Sequence, residues 1–393
     1  MTAASHHRRL GAERLPAAVY DVGGLRVHLL DTPTHTSGCV LTVGIGCAHD
    51  DGVPAGTAHF TEHVRIAAGS PVADAPVLPA VRGHTDTTRT RFSAVSLAED
   101  TVGLGRLMAS LLDTRGVTPS GFEAEKEAVL VEMSASADAP FTRLGPTLAE
   151  AACPGRGLGT TLLADRSSLA RVTAEDVAET ARTGYRRDRA ELALVGPGLP
   201  VDELLAAIDR AAAPLGVPAP AVPVPVPVPL SSLRIPEHDG IVAVTWVRFE
   251  EEPEPHDALM GSRGLAEASV AALGHPVLGR TTVRGSGVQV DVLCWRAGDA
   301  AEDLARTLAA ERDALLSEAR SPEALRRAAL RRFQNTAYAS ATPLGAAARL
   351  LDGTGAAPSS GPSRDGAPPP PRHTAPERFG VWQVRGAVPC RVA

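Results

Sequence analysis

The chain of 393 residues is long enough for two or three domains, and its 44% hydrophobic content can bury a sizeable core. A net charge of −6 with 21% charged residues excludes a nucleic acid as the main partner, because such binding needs clustered basic charge. No run of about 18 apolar residues occurs, so no membrane span is expected.

The start, MTAASHHRRLGAERLP, is basic but leads into no apolar run, so the expectation is a cytoplasmic chain without a secretory signal. Strands are predicted at GLRVHLLD and GCVLTVGIG, then at RFSAVSLA and ELALVG, where apolar residues alternate or run together. Helices are predicted at 101–113, 122–137 and 174–183, the last capped by Thr173 with Asp176 reaching back. Strands with grouped helices argue for an α+β domain over 1–215; no G-x-G-x-x-G follows a strand, so nucleotide binding has no support. Residues 216–233 alternate Val and Pro, and a Pro-rich run lacking N–H donors forms a stiff linker. A second domain over 234–350 repeats the pattern loosely. It has strands GIVAVTWVRF and GVQVDVLCW and helices near 256–273, 301–317 and 322–338, as a degenerate duplication would. The tail, 351–393, is rich in Pro and Gly and is expected to be disordered, with FGVWQVRGAV returning as a strand. Five scattered cysteines, none in a C-x-x-C pair, read as buried free thiols.

The chemistry concentrates in AGTAHFTEHVRIAAG. On a helix His59 and His63 stack on one face with Glu62 beside them, two ligands and a base within one turn. Zinc suits neutral imidazoles, and a catalytic zinc takes three protein ligands and leaves one position open. With twelve histidines in the chain a chance match on a solvated face is the competing reading. A third ligand could come from FEAEKEAVLVEM, where Glu125 and Glu132 lie two turns apart on one face. Glu132 stands among Val129, Leu130, Val131 and Met133, where a carboxylate needs a partner if it is to be buried. The alternative is that Glu132 caps a helix or pairs with an arginine.

H-x-x-E-H followed some seventy residues later by E-x6-E resembles the inverzincins, the pitrilysin, insulysin and mitochondrial processing peptidase family. The flanks from LRVHLLD to the zinc helix, and residues 157–208 with Tyr185 and a closing V-G, are similar to the family's first domain. The resemblance implies two related α/β-roll domains of mostly antiparallel sheet packed by helices, the second degenerate. It implies a zinc endopeptidase of short or unfolded peptides with His59, His63 and Glu132 as ligands and Glu62 as base. Glu125 would orient a ligand or support the base, and substrate would add as a strand near RGHTDTTRTRF, where Thr85 and Asp86 are candidate contacts.

The sequence also departs from the family. Thr61 stands where an apolar residue is usual, Thr85 stands for the edge asparagine, and the 69-residue spacing from His63 to Glu132 is short. In the second domain Arg280 or Arg284 could match the family's substrate-binding arginine, whereas Val290 replaces its tyrosine. These losses imply a half-enzyme needing a second subunit of the same family, as a heterodimer or homodimer. A non-catalytic scaffold subunit is the rival reading, and a zinc hydrolase of small molecules is a third.

Overall fold

The computed structural model describes residues 8–9, 17–50, 52–69, 80–114, 118–137, 140–154, 158, 166–212, 240–249, 270–271, 273–275, 277–285, 288–311, 314, 321, 341–353, 379–385 and 388–392. Two compact units interleave along the chain. The first comprises Met1–Met133, Ala164–Val224 and Ala337–Arg364, and the second Ser134–Leu163, Pro225–Thr336 and Asp365–Ala393.

The first unit is built on a seven-stranded sheet. In chain order its strands are β1 (Arg8–Arg9), β2 (Ala18–Val22), β3 (Leu25–Asp31), β4 (Thr36–Val43), β5 (Arg82–Thr85), β6 (Thr90–Leu97) and β7 (Ala190–Gly196). Their spatial order is β1-β2-β3-β7-β4-β6-β5, so β5 is the outermost strand on its side among the described residues. Only the β3–β7 pair is parallel; the other pairs are antiparallel. Alternation decides which residues meet which helix. Val27, Leu29, Leu41, Phe92, Leu192 and Leu194 face one side. There they pack with Leu104 and Met108 of α2 (Thr101–Ser110) and with Leu204 and Ile208 of a helix at Val201–Ala211. The alternate residues Val40, Ala193 and Val195 are covered by Ala346, Ala347, Leu350 and Leu351, from a helix at Pro343–Gly353. Thr173 and Asp176 close the expected capping box on the helix Ala174–Gly184.

The second unit is a five-stranded antiparallel sheet of β8 (Ile241–Phe249), β9 (Val277–Gly285), β10 (Val288–Arg296), β11 (Phe379–Arg385) and β12 (Val388–Arg391). The order is β12-β11-β8-β10-β9. Leu144, Leu148 and Ala149 of the helix Pro140–Ala152 cover one face of β10 at Val288, Val290 and Val292. Leu304 and Leu308 of the helix Ala301–Ala310 cover the other at Leu293 and Trp295. Covered on both faces, β10 is apolar along the face of Val288, Val290, Val292 and Cys294, whereas the other face carries Gln289 and Asp291 before Leu293 and Trp295.

Both units are mixed α/β, with mostly antiparallel sheets packed by helices, as the sequence leads one to expect. The contiguous stretches 1–215 and 234–350 do not coincide with the units, because two amphipathic helices cross over. Pro140–Ala152 serves the second sheet, and Pro343–Gly353 serves the first. Periodicity marks a face that must be buried but not the sheet that will bury it. FGVWQVRGAV returns as a strand as expected: β11 runs through it and pairs with β8 and β12, with Trp382 buried against Ile241 and Ala243. Residues 354–378, the 216–233 linker, the 322–338 helix and most of the 256–273 helix lie outside the described residues. Cys39, Cys47, Cys153 and Cys294 are buried and outside any disulfide. No described helix is long and apolar enough to cross a membrane.

Candidate metal centre

Helix α1 (Thr57–Gly69) carries the H-x-x-E-H motif. Its start is fixed by Asp50, whose carboxylate accepts from the backbone N–H groups of Gly56 at 2.7 Å and Ala58 at 2.9 Å. Those donors are orphans of the helix terminus, and an acidic acceptor there also meets the positive end of the helix dipole. Gly56 makes the turn at φ 96°, a conformation that a side chain would strain. Further along, the buried Arg65 donates from Nε to the carbonyl of Leu111 at 3.0 Å and from Nη2 to that of Ser110 at 3.2 Å. It ties α1 to the carbonyl end of α2. Thr61, where an apolar residue was expected, is fully buried because its hydroxyl donates to the Thr57 carbonyl at 2.8 Å one turn back.

Helix α3 (Pro119–Ala137) brings the other carboxylates, with Phe60 and Phe122 stacked at 4.8 Å to pin the two helices together. Nε2 of His63 lies 3.0 Å from Oε2 of Glu132, and Nε2 of His59 lies 3.8 Å from its Oε1. Nδ1 of His63 faces Oε2 of Glu125 at 3.6 Å. The imidazoles meet edge to face at 4.9 Å. Donor atoms of His59, Glu62 and His63 all fall within 4.8 Å of one another.

These residues fit zinc. Bonds of about 2.0–2.1 Å in a tetrahedron place neighbouring ligand atoms roughly 3.3 Å apart, and the two imidazole-to-Glu132 separations bracket that. Burial holds the His59 imidazole below its ordinary value, the neighbouring His63 and His84 adding and Glu132 opposing. It therefore stays neutral and able to ligate. Burial holds the Glu62 carboxyl above the ordinary carboxylate range, opposed by the Thr85 hydrogen bond and His63 and reinforced by Glu132. Glu132 itself is half-exposed, its side chain at 53%, so the burial expected from its apolar neighbours is not what gives it partners. Val129 turns inward and Val131 outward, which leaves Glu132 reaching the imidazoles from the rim.

The remaining candidates are placed differently. Thr85 is buried and donates to Oε2 of Glu62 at 2.5 Å. Asp86 accepts from the N–H groups of Thr88 and Arg89 and pairs with Nε of Arg89 at 3.1 Å, which closes the β5–β6 turn. Thr85 thus holds the Glu62 side chain, and Asp86 holds the turn between β5 and β6. Arg284, in the second unit, donates from Nε to Oε1 of Gln289 at 3.1 Å across the β9–β10 pair. Val290 is fully buried in the core. The sequence reading did not single out Asp50, Arg65 or Gly83. An arginine three residues after Glu62, on the same helical face, was the available signal for Arg65. A Cβ at Gly83 would collide with the Glu62 carboxylate, so the strand can pass this close only as glycine.

No protein-family model and no curated protein matches the sequence. Solved structures do. An M16-like peptidase from Alicyclobacillus acidocaldarius superposes with a TM-score of 0.64 at 16% identity, over 90% of this chain and 89% of that one. A chain of Complex III2 from Candida albicans, with Inz-5 bound, gives 0.64 at 14% identity over 84% and 83%. Pitrilysin gives 0.59 at 14% identity over 92% of this chain, which spans only 41% of pitrilysin. The chain has the fold of the M16-like peptidases.

Proposed function

We propose that the chain is a zinc-dependent endopeptidase subunit acting on short or unfolded peptides, and a member of the pitrilysin and processing-peptidase family. The observation that carries this reading is the convergence of His59, His63 and Glu132 at ligand spacing with Glu62 beside them. A zinc ion held there would polarise the scissile carbonyl and acidify the attacking water. Glu62 takes that water's proton and passes it to the leaving amine, a role for which a carboxyl raised toward neutrality is suited. Glu125 faces Nδ1 of His63, a place from which it can orient the imidazole and leave Nε2 to ligate. Among the described residues β5 is the outermost strand on its side, an edge to which an extended peptide can add as a further strand.

A second subunit of the same fold completes the enzyme in this reading, as a heterodimer or a homodimer. The chain's 41% share of pitrilysin and the exclusion of Val290 from any surface both support it. The likeness to a chain of Complex III2 gives the scaffold reading its support. A cytoplasmic location belongs to this proposal, and cell fractionation tests it. The experiment is zinc per chain in untagged protein dialysed against metal-free buffer, with Glu132→Ala as control, then peptide cleavage alone and with the partner. About one zinc per chain, lost in the variant, supports the centre. Well-folded wild-type protein that takes up no zinc on adding it back leaves the scaffold reading.

A further inference from the structure

We propose that Thr85 is a positioning residue for Glu62, and that it acts through its own hydroxyl, held in place by the pairing of Thr85 with Thr90. The inference rests on the reading of Glu62 as the base. Oγ1 of Thr85 lies 2.5 Å from Oε2 of Glu62 and 3.1 Å from Oγ1 of Thr90, which in turn donates to the Ile45 carbonyl at 2.9 Å. A carbonyl only accepts, so Thr90 commits its one proton to Ile45. Thr85 is then the group with a proton for Glu62. The donor is fixed in direction by the strand pairing that sets Thr85 opposite Thr90. Both threonines are buried, at 1% and 0% exposure, so no water competes for these bonds.

The rest of β5 fits the same purpose. Gly83 and Thr85 are two apart and point to the same side of the strand. One gives Glu62 room and the other gives it a hydrogen bond. Glu62 is thereby held at Oε2 by the Thr85 hydroxyl, with a backbone hydrogen bond from the same residue and Gly83 packed against its other oxygen. A base on a short flexible side chain gains most from such a clamp, since misplacement by a fraction of a bond length is costly in rate.

The test uses the full chain loaded with zinc, and acetohydroxamate as a probe that ligates the metal and donates to an adjacent carboxylate. Thr85→Val removes the hydroxyl at nearly constant volume. It is expected to keep zinc content unchanged, weaken acetohydroxamate by about tenfold to a hundredfold, and lower kcat on peptides with little change in KM. Thr85→Ser restores the hydroxyl and should restore both readouts. Should the valine variant fail to fold, Thr85→Ala lacks the same hydroxyl with less bulk and is read in the same assay. Unchanged acetohydroxamate affinity and kcat in a zinc-replete Thr85→Val protein would overturn the proposal while leaving the metal centre intact. Equal loss in Thr85→Ser would also overturn it, since packing rather than the hydroxyl would then matter. Wild-type protein without zinc takes down the metal-centre reading itself, and this inference with it.

Discussion

The two units enclose a mostly antiparallel sheet between helices, but their buried polar groups are used differently. In the second unit the buried Asp291 accepts from Thr282 at 2.5 Å and from Gln289 at 2.9 Å, and Gln289 accepts from Arg284. Cross-strand pairing along one hairpin sets Thr282 opposite Asp291 and Arg284 opposite Gln289. In the first unit His59, Glu62 and His63 from α1, Glu132 from α3 and Thr85 from β5 converge from three elements. There His59 Nδ1 is buried with no hydrogen bond, and the nitrogens face carboxylate oxygens at ligand spacing. Polar groups that satisfy one another within a hairpin stabilise it. Groups gathered from separate elements with capacity left over are equipped for a ligand.

That contrast can be broken by substitution. The largest effect is expected from Glu62→Gln, which should keep zinc and lose roughly 10²–10⁴-fold in peptide cleavage, read as kcat on the zinc-replete protein. Glu125→Gln comes next. It should weaken zinc affinity about 10–100-fold, measured by chelator competition, because the imidazole of His63 loses its orienting carboxylate. In the second unit, Asp291→Ala leaves Thr282 and Gln289 without their acceptor and should cost about 1–3 kcal/mol with zinc content unchanged. All three tryptophans, Trp246, Trp295 and Trp382, lie in the second unit, so tryptophan fluorescence reads this loss selectively. Asp50→Ala gives the smallest change, about 1 kcal/mol from the lost helix cap, seen in circular dichroism with the tryptophan midpoint unmoved. If Asp291→Ala released zinc, or Asp50→Ala shifted the tryptophan transition, the division between the units would be wrong.

The strands at 25–31, 36–43, 90–97 and 190–196 were legible because apolar residues alternate or run together there, and the helix at 174–184 because its capping box is local. The outermost strand of the first sheet was legible only through the resemblance, which placed the edge at RGHTDTTRTRF, and not through its own pattern. Arg82–Thr85 has four residues, one of them glycine, and little apolar pattern to betray it. The crossing helices Pro140–Ala152 and Pro343–Gly353 were missed for a different reason, since their periodicity names no partner.

By itself the sequence determined the mixed architecture and the i, i+4 stacking of His59 and His63 with Glu62 beside them, because helical geometry follows from local spacing. It also pointed to Glu132, seven residues beyond Glu125, although by an argument from burial that the half-exposed side chain does not follow. Only the tertiary structure decided that Thr85 bonds to Glu62, that Gly83 makes room for it, and that Arg65 locks α1 to α2. Those are contacts between segments 20 to 50 residues apart in order of magnitude. No local pattern encodes them, because sheet register and helix packing set which side chains meet, and both are fixed only when the whole unit closes.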